Sequence, residues 1–470
     1  MADVPLPGEE LTPDAGLRDD PSPALPAAVR DLLETLWSAG HAAYVVGGSL
    51  RDTLLGRPPQ DWDLATSALP EATAALFPTA VYENAFGSVI VRTDDPTVDE
   101  VDITTFRSDH EYADFRRPHR VEFSDSIELD LARRDFTINA IAWGAPAGVA
   151  PSLVDPYAGR SDIATRTLRA VGDPATRFGE DALRMLRAVR LAATLGFTIE
   201  PATLAAIRTK ADLVTHLSGE RIAQEMRLLL GAEKPSVGLR LLADTGLLDR
   251  LSPVLAGQRG VPQNKVPGED LWDHTLRSVD AAAVDDPLIR LAALLHDAGK
   301  PETMADGRFV GHEFVGADRA RELLDSWHWP VAERDRVAHL IRHHMFGYTA
   351  RWSDAAIRRF IVKVGPAALE DLFRLRQADN VGSGLSPDAG RLGEFRQRVA
   401  TQLESGAALD LRSLAVDGTD LMTEFGWKQG PIVGKTLQRL LDRVIGDPSL
   451  NTRDRLLKVA RSIAPAEPGG

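Results

Sequence analysis

The stretch Val45-Val-Gly-Gly-Ser-Leu-Arg-Asp52, followed by Gln60-Asp61-Trp62-Asp63-Leu64, constrains this chain more than any other. The apolar run 42–46 reads as a short strand, broken at Gly47-Gly48 and followed by a helix predicted over 50–55. Paired glycines let the backbone approach a bulky anion closely. A helix N-terminus just beyond them turns unsatisfied N–H groups toward phosphate, and Arg51 adds positive charge there. Side chains two apart on a strand share a face, so Asp61 and Asp63 can converge on one hard cation. Mg2+ takes a few carboxylates and completes its shell with phosphate oxygens and water. Transfer of a nucleotidyl group needs such an ion to bridge phosphate oxygens and activate the attacking hydroxyl. A third carboxylate is expected from a neighbouring strand. Asp102, in Val101-Asp-Ile-Thr-Thr-Phe106, is the best candidate, with Asp99 and Glu100 as near alternatives.

Two later segments carry complementary chemistry. In Arg133-Arg-Asp-Phe-Thr-Ile-Asn-Ala140, arginines can fork onto phosphate. Asp135 and Asn139 can hydrogen-bond a ribose 2′-hydroxyl. In Glu180-Asp-Ala-Leu-Arg-Met-Leu-Arg-Ala-Val-Arg190, helical spacing makes Asp181, Arg184 and Arg187 a connected polar strip. An acceptor beside a donor matches the Watson–Crick edges of both cytosine and adenine, which offer an amino group beside an unprotonated ring nitrogen. Uracil and guanine present the reverse order. A good bidentate pair is worth ~1–3 kcal/mol of discrimination, so one Asp–Arg pair can select two bases of four without a template.

Taken in order, these segments resemble the class II tRNA nucleotidyltransferases and bacterial poly(A) polymerases, within the polymerase-β-like nucleotidyltransferase superfamily. The opening motif is Gly47-Gly-Ser-Leu-Arg-Asp through Asp61-x-Asp63, with Ser49 and Leu50 as mild departures. Asp155-Pro-Tyr-Ala-Gly-Arg-Ser-Asp162 resembles the family's hinge, and Gly219-Glu-Arg-Ile-x-x-Glu225 its fifth motif, a helix end bracing the fourth. The resemblance covers about 42–230. It implies that Asp61 and Asp63 hold Mg2+, that Asp102 is the third catalytic carboxylate, and that Gly48, Arg51 and Arg134 meet phosphate. It further implies Asp135 at the ribose, Asp181 and Arg184 at the base, and Arg187 and Arg190 at the triphosphate. Thr104-Thr-Phe-Arg107 with Tyr112-x-x-x-Arg116-Arg-Pro118 looks like the flexible loop of the CCA-adding members, and Ala85-Phe-Gly-Ser-Val89 lacks the Arg-Arg-Phe of the poly(A) polymerases. CCA addition to tRNA from CTP and ATP is therefore expected, with poly(A) addition as the alternative.

Seven of the eleven histidines fall between 274 and 344. His296-Asp297 can offer an imidazole and a carboxylate to one metal. Leu294-Leu-His-Asp-Ala-Gly-Lys300 resembles the HD phosphohydrolases, which implies a metal held by His274, His296, Asp297 and Asp379, with His312 and His343 as further candidates. A live site would bring a second divalent metal and hydrolysis at RNA ends. A further rival reading is an HD phosphohydrolase whose head only binds RNA.

The rest of the chain bounds these readings. Its 470 residues allow roughly three domains at ~150 residues each. The absence of cysteine excludes disulfides, zinc–thiolate sites and thiol nucleophiles. A net charge of −14 argues against an unspecific nucleic-acid coat. Residues 166–240 are nevertheless basic, with twelve Arg or Lys against eight Asp or Glu. Residues 1–25 read as a disordered acidic tail. The expected order is a nucleotidyltransferase head over 26–165, a helical neck over 166–255, a linker over 256–269, an HD body over 270–400 and a helical tail over 401–470. The fold class is thus α+β, a mixed-sheet head followed by all-α neck, body and tail. Signal-peptide order and long apolar runs are lacking, so a cytoplasmic protein is expected, with tRNA as partner, no membrane and no protein partner evident.

Overall fold

The structure, a computed structural model, describes residues 17–82, 87–112, 118–263, 265–405 and 408–463. It divides between Pro253 and Val254 into two compact units.

The first unit opens with α1 (Ala27–Ser38), β1 (Ala43–Val46), α2 (Gly47–Leu54), β2 (Trp62–Thr66) and α3 (Pro70–Leu76). Then come β3 (Ala80–Tyr82), β4 (Ser88–Arg92), β5 (Glu100–Thr105) and a hairpin of β6 (Arg107–Tyr112) and β7 (Pro118–Phe123). The head closes with α4 (Ile127–Ala132), β8 (Ala142–Ala145), β9 (Ser152–Val154) and α5 (Gly159–Ala164). Seven strands form one mixed sheet in the order β3-β4-β5-β2-β1-β8-β9. Within it β2 and β5 run parallel and the other described neighbours antiparallel. α1 buries Val29, Leu32, Leu33 and Leu36, the spacing of one helical stripe. β1, flanked by β2 and β8, is buried at all four positions.

Three expectations change here. The second helix starts at Gly47 rather than at residue 50. Gly47 turns the chain at φ +71°, and Ser49 Oγ donates to Val46 O, so the glycines form the first turn instead of a loop before it. The stretch 138–143, whose β-branched residues predict a strand, enters one only at Ala142. Thr137–Asn139 is a 3-10 turn because its polar side chains are engaged elsewhere, Thr137 with Asp162 and Asn139 with Asp135. The last part of the acidic tail is packed rather than loose. Arg18 N–H donates to Leu54 O, Leu25 is buried, and Asp19 pairs with Arg160. Residues 1–16 lie outside the described residues.

The neck is built from α6 (Pro174–Glu180), α7 (Leu183–Leu195), α8 (Pro201–Lys210), α9 (Gly219–Leu230) and α10 (Pro235–Asp244). Asp173 caps α6 through Thr176 N, and Gly196, at φ +70°, ends α7.

In the second unit the helix Pro287–Leu295 is buried at every position from Leu288 onward. Leu271–Ala281, His312–Ser326, Val331–His343 and Leu369–Gly382 surround the same body. The expected linker is partly built into this unit: Gln258 is fully buried and accepts from Thr275 Oγ1, and Leu271 N–H donates to Val261 O. The C-terminal helices Gly418–Phe425, Pro431–Gly446 and Arg453–Ile463 bury a core of their own around Leu421, Leu440, Val444 and Leu456. Among the described residues no helix is long and apolar enough to cross a membrane.

Candidate active site and second metal centre

Parallel pairing of β2 with β5 sets Asp63 directly beside Asp102 in register. Neighbouring strands lie ~4.8 Å apart, so two carboxylates face the same side of the sheet at short range. Asp99 stands before β5, and Glu100 pairs across the sheet with Arg92 at 3.0 Å, so of the three alternatives Asp102 has the matching register. Asp61 precedes β2 and is exposed. Burial pushes the Asp63 carboxyl above its ordinary range, Asp61 adds to this, and Arg134, Arg187 and Arg51 oppose it. A carboxylate strained in this way gains from a divalent cation, and the donor set of hard oxygens fits one. A Cβ on Gly47 would lie 3.1 Å from both Asp63 Oδ2 and Arg134 Nη1. Glycine therefore keeps this approach open.

An open cavity of about 390 Å3 lies against these groups. Gly47, Gly48, Asp63 and Arg134 line it together with Asp181, Arg184 and Arg221. Asp130 on α4 holds Arg133 at 2.8 Å and Arg134 at 3.0 Å. Asp130 is fully buried, which alone would raise its pKa; the charges of the two arginines outweigh that and lower it. Asp135 accepts from Asn139 Nδ2 at 3.1 Å and from Arg187 Nε at 2.7 Å. Burial works against its charge, but Arg187 and Asn139 hold it well below the carboxylate range.

The expected strip of Asp181, Arg184 and Arg187 is not a single helix face. Asp181 ends α6 in an extended conformation, φ −143°, and α7 starts only at Leu183. Both Asp181 oxygens accept from Arg221 Nη2, at 3.0 and 2.7 Å. Arg184 donates to Glu180 at 2.6 Å and to Arg133 O at 2.9 Å. Asp181 and Arg184 therefore both line the cavity, each clamped by a third residue rather than by the other. Two residues expected at phosphate have protein partners in this structure. Arg51 is tied to Asn139 and Asp52 behind the first turn of α2, and Arg190 is paired with Glu225 at 2.7 Å; neither lines the cavity. Arg133 and Arg221 do line it. Arg221 had a signal in the fifth motif, but its pairing across to Asp181 has no signature in spacing. Of the flexible-loop segment, 113–117 lie outside the described residues, as do Ala85 and Phe86.

The histidine block closes into one buried cluster. Two groups have all their ligand atoms within 4.8 Å: His274, His296 and Asp379, and Asp297, His312 and His344. The head carboxylates are not gathered that closely among the described residues. Asp297 joins the two groups: Oδ2 lies 3.3 Å from His274 and 3.1 Å from His296, and Oδ1 lies 3.2 Å from His312 and 3.7 Å from His344. Nδ1 of His296, His312 and His344 each faces a backbone carbonyl at 2.7–2.8 Å. That contact fixes Nδ1 as the donor and leaves Nε2 with a lone pair. Yet the Nε2 atoms of His274 and His296 are 3.2 Å apart, and those of His312 and His344 3.3 Å. Facing lone pairs on His312 and His344 suit a cation between them, and the imidazole–carboxylate donor set of each group fits divalent metal. His343, an expected candidate, is absent from both groups; its neighbour His344 takes the place. Adjacent histidines at the end of a helix leave that choice undecided in one dimension. Burial, then His339, Lys363 and Arg342, lower His343 to about 4.

A mixed sheet with an Asp-x-Asp strand, joined to a helical neck that lines the same cavity, defines a nucleotidyltransferase head. The model of the poly A polymerase head domain matches 43–169, that of the probable RNA and SrmB-binding site of polymerase A matches 196–258, and that of the HD domain matches 271–381. The CCA-adding enzyme of Geobacillus stearothermophilus is 46% identical over 427 residues, covering 90% of this chain and 94% of the relative. That of Levilactobacillus brevis is 46% identical over 433 residues, covering 91% and 96%. The crystal structure of the Bacillus stearothermophilus CCA-adding enzyme in complex with CTP superposes with a TM-score of 0.70 at 30% identity, covering 93% of this chain and 96% of that one. The chain belongs to the family of CCA-adding enzymes.

Proposed function

We propose that the chain adds CCA to the 3′ end of tRNA from CTP and ATP, releasing pyrophosphate. The observation that carries this is the shared cavity, lined by Asp63 and Arg134 and by the clamped Asp181 and Arg184. The RNA 3′-hydroxyl attacks the α-phosphorus in line; its oxygen bonds phosphorus as the bond to pyrophosphate breaks. Asp61, Asp63 and Asp102 would hold a divalent cation, Mg2+ in this reading, which would polarise the phosphate oxygens and make the hydroxyl more acidic. Arg134 faces the triphosphate, and Asp135 with Asn139 faces the ribose. Asp181 accepts from the amino group of C or A while Arg184 donates to the ring nitrogen, and U and G meet both residues with the wrong polarity. The basic neck and Lys435, Arg439 and Arg443 of the helix Pro431–Gly446 hold tRNA by its phosphates, so binding weakens with salt.

Incubation of the purified chain with tRNA lacking CCA, Mg2+ and each NTP, singly and mixed, tests this by sequencing the products. Addition of CCA followed by arrest is expected. A long A tail from ATP alone would make the chain a poly(A) polymerase.

The HD cluster favours a second activity, hydrolysis of phosphate esters at RNA ends. Its cavity of about 620 Å3 reaches Asp297, His312, His344 and Asp379 and also carries Lys265, Lys300 and Arg376. Cations beside a metal-ligand set suit an anionic ester.

A further inference from the structure

The segment 343–347 separates two cavities of the second unit. His344 lines the metal cavity, His343 and Phe346 line a second one of about 320 Å3, and Met345 lines both. The second cavity holds no metal-ligand group. Its walls include Trp352, Phe346 and Phe360, and its rim carries Arg359 and Lys363. Trp352 is only half-buried; it packs edge-on against Phe360 and Phe395, with ring centroids 6.1 and 5.5 Å apart. Tyr348 also meets Trp352 edge-on, at 5.9 Å, and Trp352 forms part of the cavity wall, within reach of a bound base.

Arg359 and Lys363 lie one turn apart on the helix Asp354–Val364, both exposed. Neither has an ion-pair or hydrogen-bond partner among the described residues. Other arginines of this unit do find an acid, among them Arg319, Arg334, Arg336, Arg396 and Arg398. Like charges at this spacing disfavour the helix by a few tenths of a kcal/mol, roughly the ~0.2–0.5 kcal/mol of one pair. A bound anion would relieve that.

We propose that this cavity is a subsite for one nucleotide of single-stranded RNA, whose neighbouring phosphodiester lies in the metal cavity. Aromatic faces beside unpaired cations are how single strands are held without sequence preference, with stacking worth ~1–3 kcal/mol per base. The volume falls at the lower end of small-molecule sites, ~300–1,000 Å3, which suits one base. Met345, exposed at 53%, lines both cavities, so a ligand that fills both passes over it. The inference rests on the hydrolytic reading of the HD cluster. There, water's oxygen bonds phosphorus, the bond to the leaving ribose oxygen breaks, and that oxygen takes the proton.

The test uses the full chain loaded with Mn2+ and a hexaribonucleotide containing 4-thiouridine, photocrosslinked and mapped by peptide. Crosslinks within 343–364 are expected. They should fall at least fivefold in Arg359→Glu with Lys363→Glu and in Trp352→Leu, and persist in Trp352→Phe. Crosslinks confined to other segments, or unmoved by the surface charge reversal, would overturn the subsite. The same variants are assayed on a hexanucleotide ending in a 2′,3′-cyclic phosphate and on bis(p-nitrophenyl) phosphate. The ratio of the two rates should fall at least fivefold. An equal fall in both would mean general damage to the HD body and would also overturn it. If the unaltered chain hydrolyses neither substrate, the hydrolytic reading fails, and the crosslinks still decide whether RNA occupies the cavity.

Discussion

Arg187 Nε donates to Asp135 Oδ2 at 2.7 Å, joining α7 of the neck to the segment Arg133–Ala140 of the head. Asp135 is nearly fully buried, whereas Arg187 keeps about a third of its side chain exposed. The pair therefore does two things: it fixes the carboxylate proposed to face ribose, and it ties head and neck across one cavity. Asp135 raises the Arg187 pKa still further, so this arginine is never neutral.

Arg187→Ala leaves a buried carboxylate with one fewer charged donor. Losing a hydrogen bond to a charged group costs roughly 1.5–3 kcal/mol. A lower Tm and a loss of CCA addition are both expected. Unchanged melting with lost activity would assign Arg187 to the nucleotide alone.

Asp102→Asn should abolish addition while tRNA binding, measured by gel shift, persists. Glu100→Gln should cost no more than about twofold, since Glu100 pairs at the surface with Arg92 and exposed pairs are worth ~0–1 kcal/mol. The reverse ranking would move the third carboxylate to Glu100.

Asp181→Asn replaces a pure acceptor by a group that can also donate. Incorporation of UTP and GTP should rise relative to CTP and ATP by about tenfold, within the ~1–3 kcal/mol of a bidentate pair. Competition assays with mixed NTPs read this directly. Arg221→Gln should relax selectivity in the same direction, because Arg221 sets the orientation of Asp181.

Asp286 caps the helix Pro287–Leu295 through Leu288 N and pairs with Arg336 at 2.6 Å. Burial opposes its charge, but the Arg336 hydrogen bond, the cap and Arg374 lower its pKa. A depressed folded pKa contributes stability above the unfolded value of about 3.9 and loses it as pH falls through the folded value. Asp286→Asn keeps the cap and removes the charge. Urea unfolding should show it less stable than the parent at pH 7, with the gap closing below about pH 4.

Asp297→Asn should lower bound divalent metal in both groups of the HD cluster, and His344→Ala in only one. Metal analysis of the purified variants measures the difference, which follows from Asp297 reaching all four imidazoles. Equal losses would point to one shared ion.

Local chemistry was legible along the chain. Strand, glycine pair, helix and Asp-x-Asp are close in sequence, so their period and spacing single out Asp61 and Asp63 as candidates, and the order of five motifs identified the family. His296-Asp297 was equally plain, being adjacent. Long-range pairing was not legible. Only the parallel register of β2 and β5 puts Asp102 rather than Glu100 beside Asp63. Only the fold sends Arg51 to Asn139 and Arg190 to Glu225, brings Arg221 to Asp181, and turns His344 instead of His343 into the cluster. The physical reason is that periodicity gives the face on which a side chain lies, while the partner that satisfies a buried charge comes from whichever distant element packs against that face.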